Sequence, residues 1–152
     1  MDKTRMIDHL NDLLKVDHDA INSYEEAIGG IDIEHVRSKL REFQNDHRTH
    51  VDSLNQAIRQ MGGMPHDKST IKGFFLKSMT AISARMGNEG AIRAMESNEK
   101  LVNQAYAKAA KESWPPDLMN LVKHNYDDEK RHLSFLQQCI TQRVWEQQAA
   151  HP

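Results

Sequence analysis

The sequence predicts an all-α protein, a bundle of four helices joined by one long crossover. Three observations predict it. Prolines and glycines are few and sit where turns belong, four and seven in 152 residues. Apolar residues recur at three- and four-residue steps along the stretches between them. And one stretch occurs twice: Asp17, Tyr24, Asp46, His47 and His50 reappear 82 positions later as Glu99, Tyr106, Asp128, Glu129 and His132. The apolar frame repeats at the same offset, in Val36/Leu118, Leu40/Val122, Val51/Leu133, Leu54/Leu136 and Ile58/Ile140. A repeat that keeps core positions and metal-ligating side chain types together predicts two helical hairpins facing one another across a metal site.

The first helix is expected from Thr4, its candidate cap, to about Ile28. Leu10, Leu13, Leu14, Asp17, Ile21, Tyr24 and Ile28 form its buried stripe, and Gly29-Gly30 ends it. Asp32 is the candidate cap of a second helix over about 33–61, with Val36, Leu40, Phe43, His47, His50, Leu54 and Ile58 inward. Gly62-Gly63-Met64-Pro65 stops it. His66 to Gly90 breaks the repeat. A short helix starting at Ser69 or Thr70 and reaching about Met86 is expected there, with Ile71, Phe74, Phe75, Met79 and Ile82 apolar. It would carry the chain along the bundle so that the third helix runs parallel to the second. A membrane-surface helix is the competing reading, against which its shortness and mixed charge weigh.

The third helix is expected over about 89–112, with Ile92, Met95, Glu99, Val102 and Tyr106 inward. Trp114-Pro115-Pro116 makes the next turn, proline suiting a helix's first positions. The fourth helix is then expected from about Asp117 to Gln147, without a separate fifth helix. Its inner face carries Leu118, Leu121, Val122, Asn125, Glu129, His132, Leu136, Cys139 and Ile140. One domain over 1–152 follows, with hairpins at about 4–62 and 89–148 and a crossover at about 63–88. A chain this long buries roughly 68–70% of its unfolded surface.

Composition excludes several function classes. A formal net charge of -2 and a sequence pI of about 6.5 leave no dominant basic face for nucleic acid. No apolar run approaches the ~20 residues of a membrane span. Met1-Asp2-Lys3-Thr4 lacks the apolar core of a signal peptide, and the single cysteine, Cys139, cannot form an internal disulfide. The expectation is a cytoplasmic protein with neither nucleic-acid nor membrane partners. There is no nucleophile elbow, phosphate loop or CxxC.

Function is therefore sought in the polar residues of the apolar stripes: Asp17, His47, His50, Glu99, Glu129 and His132. Burying an unpaired carboxylate costs several kcal/mol, so such groups are paired, neutralised or metal-bound. At ~1.5 Å per residue, Asp17 and His47 both lie roughly 20 Å from the first turn, and Glu99 and Glu129 share a level below the second. His47 and His50, like Glu129 and His132, stand three apart on one helical face. Each pair faces a carboxylate thirty positions earlier. Asp46 and Asp128 precede the two pairs and suit a role holding metal-bound imidazoles through their second ring nitrogen. Tyr24 and Tyr106 are two turns beyond the first- and third-helix carboxylates; they read as core tyrosines or as hydrogen-bond donors near the site. Glu96, one turn before Glu99, competes with it for the third-helix position. His18 and His124 lack symmetry mates, and His9, His35, His66 and His151 carry no signal.

At these residues the chain resembles the ferritin-like superfamily, bacterioferritins and rubrerythrins in particular, over nearly its whole length. The segments that carry the resemblance are Leu10-Asn11-Asp12-Leu13-Leu14, Ala20-Ile21-Asn22-Ser23-Tyr24, Gly62-Gly63-Met64-Pro65 and Asp128-Glu129-Lys130-Arg131-His132. The resemblance implies a carboxylate on helix one, ExxH on helix two, a glutamate on helix three and ExxH on helix four. Asp17, His47 with His50, Glu99, and Glu129 with His132 take those positions. It also implies bound metal, iron foremost with zinc or manganese as alternatives, and non-haem di-iron chemistry with O2 or peroxide in stress defence. The competing reading is a non-enzymatic stress or interaction protein with one structural metal or none. His47 departs from the pattern where a bridging glutamate is expected, and Asp17 is a shorter carboxylate than usual. A neutral imidazole does not bridge two metals as a carboxylate does, which favours an asymmetric pair or a single ion. A homodimer through a helix face is the default assembly, and an iron-storage cage is disfavoured by the lack of an evident fifth helix. No redox partner is legible.

Overall fold

In the computed structural model, which describes residues 1–66 and 79–149, four long helices form the bundle. They are α1 (Lys3–Gly30), α2 (Glu34–Gln60), α3 (Gly87–Ala110) and α4 (Pro116–Thr141). A 3-10 turn (Ala84–Met86) precedes α3, and a short α5 (Val144–Ala149) follows α4. α1 packs along α2, α3 along α4, and α1 against α3, while α2 and α4 touch less. The two hairpins thus pack against each other mainly through α1 and α3.

The helix starts differ from those expected. Asp2, not Thr4, caps α1: its Oδ1 accepts from the Arg5 backbone N–H at 2.8 Å. Asp32 does not cap α2. Its carboxylate accepts from the Asn88 side chain at 2.7 Å, and its own N–H donates to Asn88 Oδ1 at 2.9 Å. The three-residue link instead buries Ile31 and Ile33, and α2 begins at Glu34. That reciprocal pair also places the start of α3 beside the start of α2, so the two helices run parallel.

α2 ends as the glycines dictate. Gly62 sits at φ +80, its N–H donates to Arg59 O at 2.9 Å, and the Gly63 N–H reaches Ile58 O at 3.0 Å. These are the paired bonds of a Schellman motif, which needs the left-handed conformation that glycine adopts freely. A Cβ on Gly63 would stand 2.9 Å from Ile7 side-chain atoms, so the chain can leave α2 only over a bare backbone.

The expected crossover helix falls mostly outside the described residues, with Ile71, Phe74 and Phe75. Its expected end is not helical: 79–83 has no regular structure and only 84–86 turn as 3-10. The cause is a competing set of bonds. Asn98 on α3 takes the Thr80 N–H at 2.8 Å and returns its amide to Thr80 O at 2.8 Å, and Glu26 accepts from the Ile82 N–H. Met79 and Ile82 are thereby pressed into the α1/α3 seam.

α4 also stops sooner than expected. Arg143 adopts a positive φ of 48, which breaks the helix after Thr141 and turns α5 so that Val144 enters the core. Trp114 closes the α3–α4 turn, buried and donating Nε1–H to Ala109 O at 2.8 Å.

The core is in two apolar blocks. One holds Tyr24, Val36, Leu40, Phe43, Ile92, Met95 and Leu136; the other Leu10, Leu14, Leu54, Ile58, Val102, Tyr106 and Val122. The polar layer lies between them.

Candidate metal centre

Asp17, His47, Glu99, Glu129 and His132 are fully buried and His50 nearly so. α1 and α3 contribute one carboxylate each, α2 and α4 a pair each, because positions three apart project from one face of a helix. The six form two overlapping groups, Asp17/His47/His50/Glu129 and His47/Glu99/Glu129/His132. Within each group, the candidate ligand atoms lie within 4.8 Å of one another. His47 and Glu129, repeat mates in sequence, belong to both groups.

Contacts across the layer are crossed between hairpins. Tyr24 of α1 donates its hydroxyl to Glu99 Oε2 of α3 at 2.7 Å, and Tyr106 of α3 donates to Asp17 Oδ2 of α1. His50 Nε2 of α2 lies 2.9 Å from Asp128 Oδ2 of α4, and His132 Nε2 of α4 lies 2.8 Å from Asp46 Oδ2 of α2. Each outer carboxylate thus holds an imidazole from the opposite hairpin, which leaves both Nδ1 atoms facing inward. The tyrosines are donors to the layer as well as core residues.

Asymmetry enters at two places. Phe43 stacks on His132 with ring centroids 4.3 Å apart, while its repeat mate Asn125 donates to the Tyr106 hydroxyl at 3.3 Å. One half of the layer is therefore roofed by an aromatic ring and the other by an amide. Asn103 on α3 adds bonds to Glu99 O and Glu129 O, both at 3.0 Å. Arg131, half-exposed, donates to Asp46 Oδ2 at 2.8 Å and Asp128 Oδ1 at 3.1 Å, tying together the two carboxylates that hold the imidazoles. Sequence reasoning gave neither Asn103 nor Arg131 a role. Arg131 lies inside the Asp128–His132 segment, two residues after Glu129, where spacing alone points it outward.

Other sequence candidates stay apart from the layer. Glu96 pairs with Lys100 at 3.0 Å. His124 is largely exposed, 4.0 Å from Asp128, and His9 packs edge-on to Trp114. The His66 N–H donates to Asn11, and His35 is exposed. His18 is half-buried on α1, and His151 is outside the described residues.

Electrostatics of the layer oppose burial with pairing. Burial pushes the Asp17 carboxyl up, but hydrogen bonds and charge from His47 and His50 outweigh it and hold the group below its ordinary range. Glu129 is likewise opposed by burial, yet His47, Glu99 and His132 hold it well below. Burial and the charge of Glu129 raise Glu99 to about 8. Burial would lower the imidazoles, but Glu129 and Asp17 lift His47 to about 9, and Asp17 and Glu129 lift His50 to about 11. Asp46, Glu129 and Glu99 lift His132 to about 11. These directions favour proton-bearing imidazoles and a proton-bearing Glu99 beside ionised Asp17 and Glu129.

Does the layer fit a metal? His47 Nε2, both Glu129 oxygens and His132 Nδ1 are buried without a hydrogen-bond partner. They stand 3.2–3.5 Å from charged neighbours, within ion-pair reach but without hydrogen-bond geometry, and so converge on a space that a shared cation could fill. Carboxylate oxygens and imidazole nitrogens are donors for iron, manganese or zinc. The residues fit.

Comparison with known proteins agrees with the architecture. A dodecameric thioferritin, the bacterioferritin-related protein from Bacteroides fragilis, has a solved structure similar at TM-score 0.82 and 19% identity, covering 100% of this chain and 94% of that one. No curated protein matches. The family described as Domain of unknown function (DUF2383) matches residues 5–112, through α1, α2 and α3 and short of α4. The chain belongs to that family, and it carries it on a ferritin-like bundle whose buried layer has two groups able to hold a metal ion.

Proposed function

We propose that this protein holds redox-active metal, iron foremost, in the six-residue layer and uses it as a non-haem di-iron oxidoreductase toward O2 or peroxide. The observation that carries the reading is the set of four buried atoms on His47, Glu129 and His132 that make no hydrogen bond, inside two overlapping donor groups. When bound, iron supplies one-electron redox chemistry with oxygen species. The chain's residues supply the rest. Asp17 and Glu99 terminate the two halves, each fixed by a tyrosine hydroxyl from the opposite hairpin. Asp46 and Asp128 hold His132 and His50 with Nδ1 inward. The apolar blocks on either side exclude water. Defence against oxidative stress in a cytoplasmic setting suits such a site. No described helix is long and apolar enough to cross a membrane.

The test is to purify the chain without a histidine tag and determine its metals by mass spectrometry. Iron(II) is then added anaerobically, followed by air. The expectation is iron filling both donor groups, oxygen consumption and a new near-ultraviolet band. One zinc, or no metal at any loading, overturns the oxidoreductase reading.

A second reading has its own observation. Asp17 already accepts from His47 at 2.7 Å, from His50 at 3.0 Å and from Tyr106, so part of the layer is satisfied without metal. A non-enzymatic stress or interaction protein with one structural ion follows, and it predicts no oxygen or peroxide turnover. As to assembly, the dodecameric state of the similar Bacteroides fragilis structure and the presence of α5 make a cage a rival to the homodimer. Light scattering on the purified chain separates twelve copies from two.

A further inference from the structure

Among the imidazoles of the layer, His47 alone has both ring nitrogens directed at other layer residues. Its Nδ1 lies 2.7 Å from Asp17 Oδ1, and its Nε2 lies 3.3 Å from Glu129 Oε2 and 3.9 Å from Glu99 Oε2. His50 and His132 differ, because Asp128 and Asp46 occupy their Nε2 atoms. His47 is fully buried, and its Nε2 has no hydrogen-bond partner.

We propose that His47 joins the two halves of the centre, binding one cation through Nδ1 on the Asp17/His50 side and a second through Nε2 on the Glu99/His132 side. The inference rests on the metal-binding reading above and adds the manner of bridging. Charge supports it. Asp17, Glu99 and Glu129 bring three negative charges to a layer that two divalent cations would give four positive ones. Uncompensated charge in a buried layer is expensive. A ring bound at both nitrogens carries no N–H, so the protonated His47 ring of the metal-free layer gives up one proton to water as the first cation binds and its second as the other cation arrives. The imidazolate left behind is the fourth negative charge. Asp46 and Asp128 lie outside the layer at the solvent edge, where Arg131 offsets one of their two charges and water screens the other. A neutral imidazole cannot stand in for a bridging carboxylate; an imidazolate can, at a longer reach.

That reach is the measurable quantity. Two metal–nitrogen bonds of roughly 2 Å on either side of the ring put the ions about 6 Å apart. A carboxylate-bridged pair lies at roughly 3.5–4 Å. Glu129 is placed to span the same halves, with Oε1 3.2 Å from His50 Nδ1 and Oε2 3.5 Å from His132 Nδ1, so the separation decides which residue sets the spacing.

The experiment loads the full chain with zinc alone, counts bound ions, and measures their separation by X-ray absorption and by anomalous scattering from crystals. The expected result is two ions about 6 Å apart with a His47 nitrogen on each. His47→Gln should weaken binding of one ion more than about 100-fold, beyond the loss typical of an outer supporting residue. His47→Glu should restore two ions at roughly 3.5–4 Å. A wild-type separation of roughly 3.5–4 Å overturns the ring bridge, as does undiminished two-ion binding by His47→Gln. A single bound zinc overturns the bridge and leaves metal binding standing. No zinc at any concentration overturns the metal-binding reading, and the bridge with it.

Discussion

His132 Nε2 on α4 lies 2.8 Å from Asp46 Oδ2 on α2, so the hairpin that carries the imidazole does not carry the carboxylate that aims it. Asp128 does the same for His50 in the other direction, at 2.9 Å. Replacing Asp46 with Ala frees the His132 ring to rotate or to change tautomer. Metal affinity should fall about 10–100-fold, read by competition with a chelator, while the helical circular dichroism is kept. Asp128→Ala should do the same through His50. Unchanged affinity in both variants would show that the outer carboxylates play no part in binding.

Arg131 touches both of those aspartates but is half-exposed, and exposed ion pairs are worth about 0–1 kcal/mol. Arg131→Ala should therefore shift the urea midpoint of the metal-free protein little. A loss above about 2 kcal/mol would mean the guanidinium carries more than its exposure indicates.

The tyrosine hydroxyls are different, since both are fully buried against a carboxylate. Tyr24→Phe leaves Glu99 Oε2 without its donor, and Tyr106→Phe does the same to Asp17 Oδ2. Each should cost about 1–3 kcal/mol in urea unfolding of the metal-free protein. A stability within error of wild type would mean that other donors take over.

Stability of the metal-free chain should depend on pH in a definite direction. Glu99 and the three imidazoles have folded values above their ordinary 4.5 and 6.5. Their contributions are complete below those ordinary values. The Glu99 contribution is lost as pH rises to about 8, that of His47 to about 9, and those of His50 and His132 to about 11. Asp17 and Glu129 are held below 3.8 and 4.5, so their contributions are lost as pH falls beneath those values. The urea midpoint should peak near pH 4.5, where Glu129 is already ionised and Glu99 still protonated, and decline steadily above it. A flat profile from pH 6 to 9 would contradict the protonated layer.

Metal loading should draw on the same protons. Cations bind deprotonated ligands, so zinc added at pH 7 to weakly buffered protein should acidify the solution, and affinity should rise with pH. Loading without proton release would contradict both the proton-bearing imidazoles and the His47 bridge.

The sequence made the long helices legible because each carries a continuous apolar stripe, and the layer legible because the repeat put polar side chains into that stripe twice. Asp17, His47, His50, Glu99, Glu129 and His132 carry that signal and stand together in the structure. What it hid were features that depend on chain partners far apart. Asp32 reads as a cap but finds Asn88, fifty-six residues on. Thr80 is held by the Asn98 side chain, so no helix forms where the apolar spacing of Met79 and Ile82 suggested one. The turn at Arg143 has no glycine or proline to announce it. The crossing of Asp46 to His132 was equally invisible, since spacing places a carboxylate near a ligand pair without saying whose.

That crossing bears on how the protein matures. A hairpin that has formed but not yet docked lacks the carboxylate that aims the outer nitrogen of its His50 or His132, and its tyrosine points at a carboxylate that has not arrived. Half-made chains thus offer stray cations only loose, solvent-washed side chains, and a tight pocket exists only after the two hairpins have closed on each other. Occupancy by metal would be a certificate of completed assembly, issued by the whole chain and by neither half.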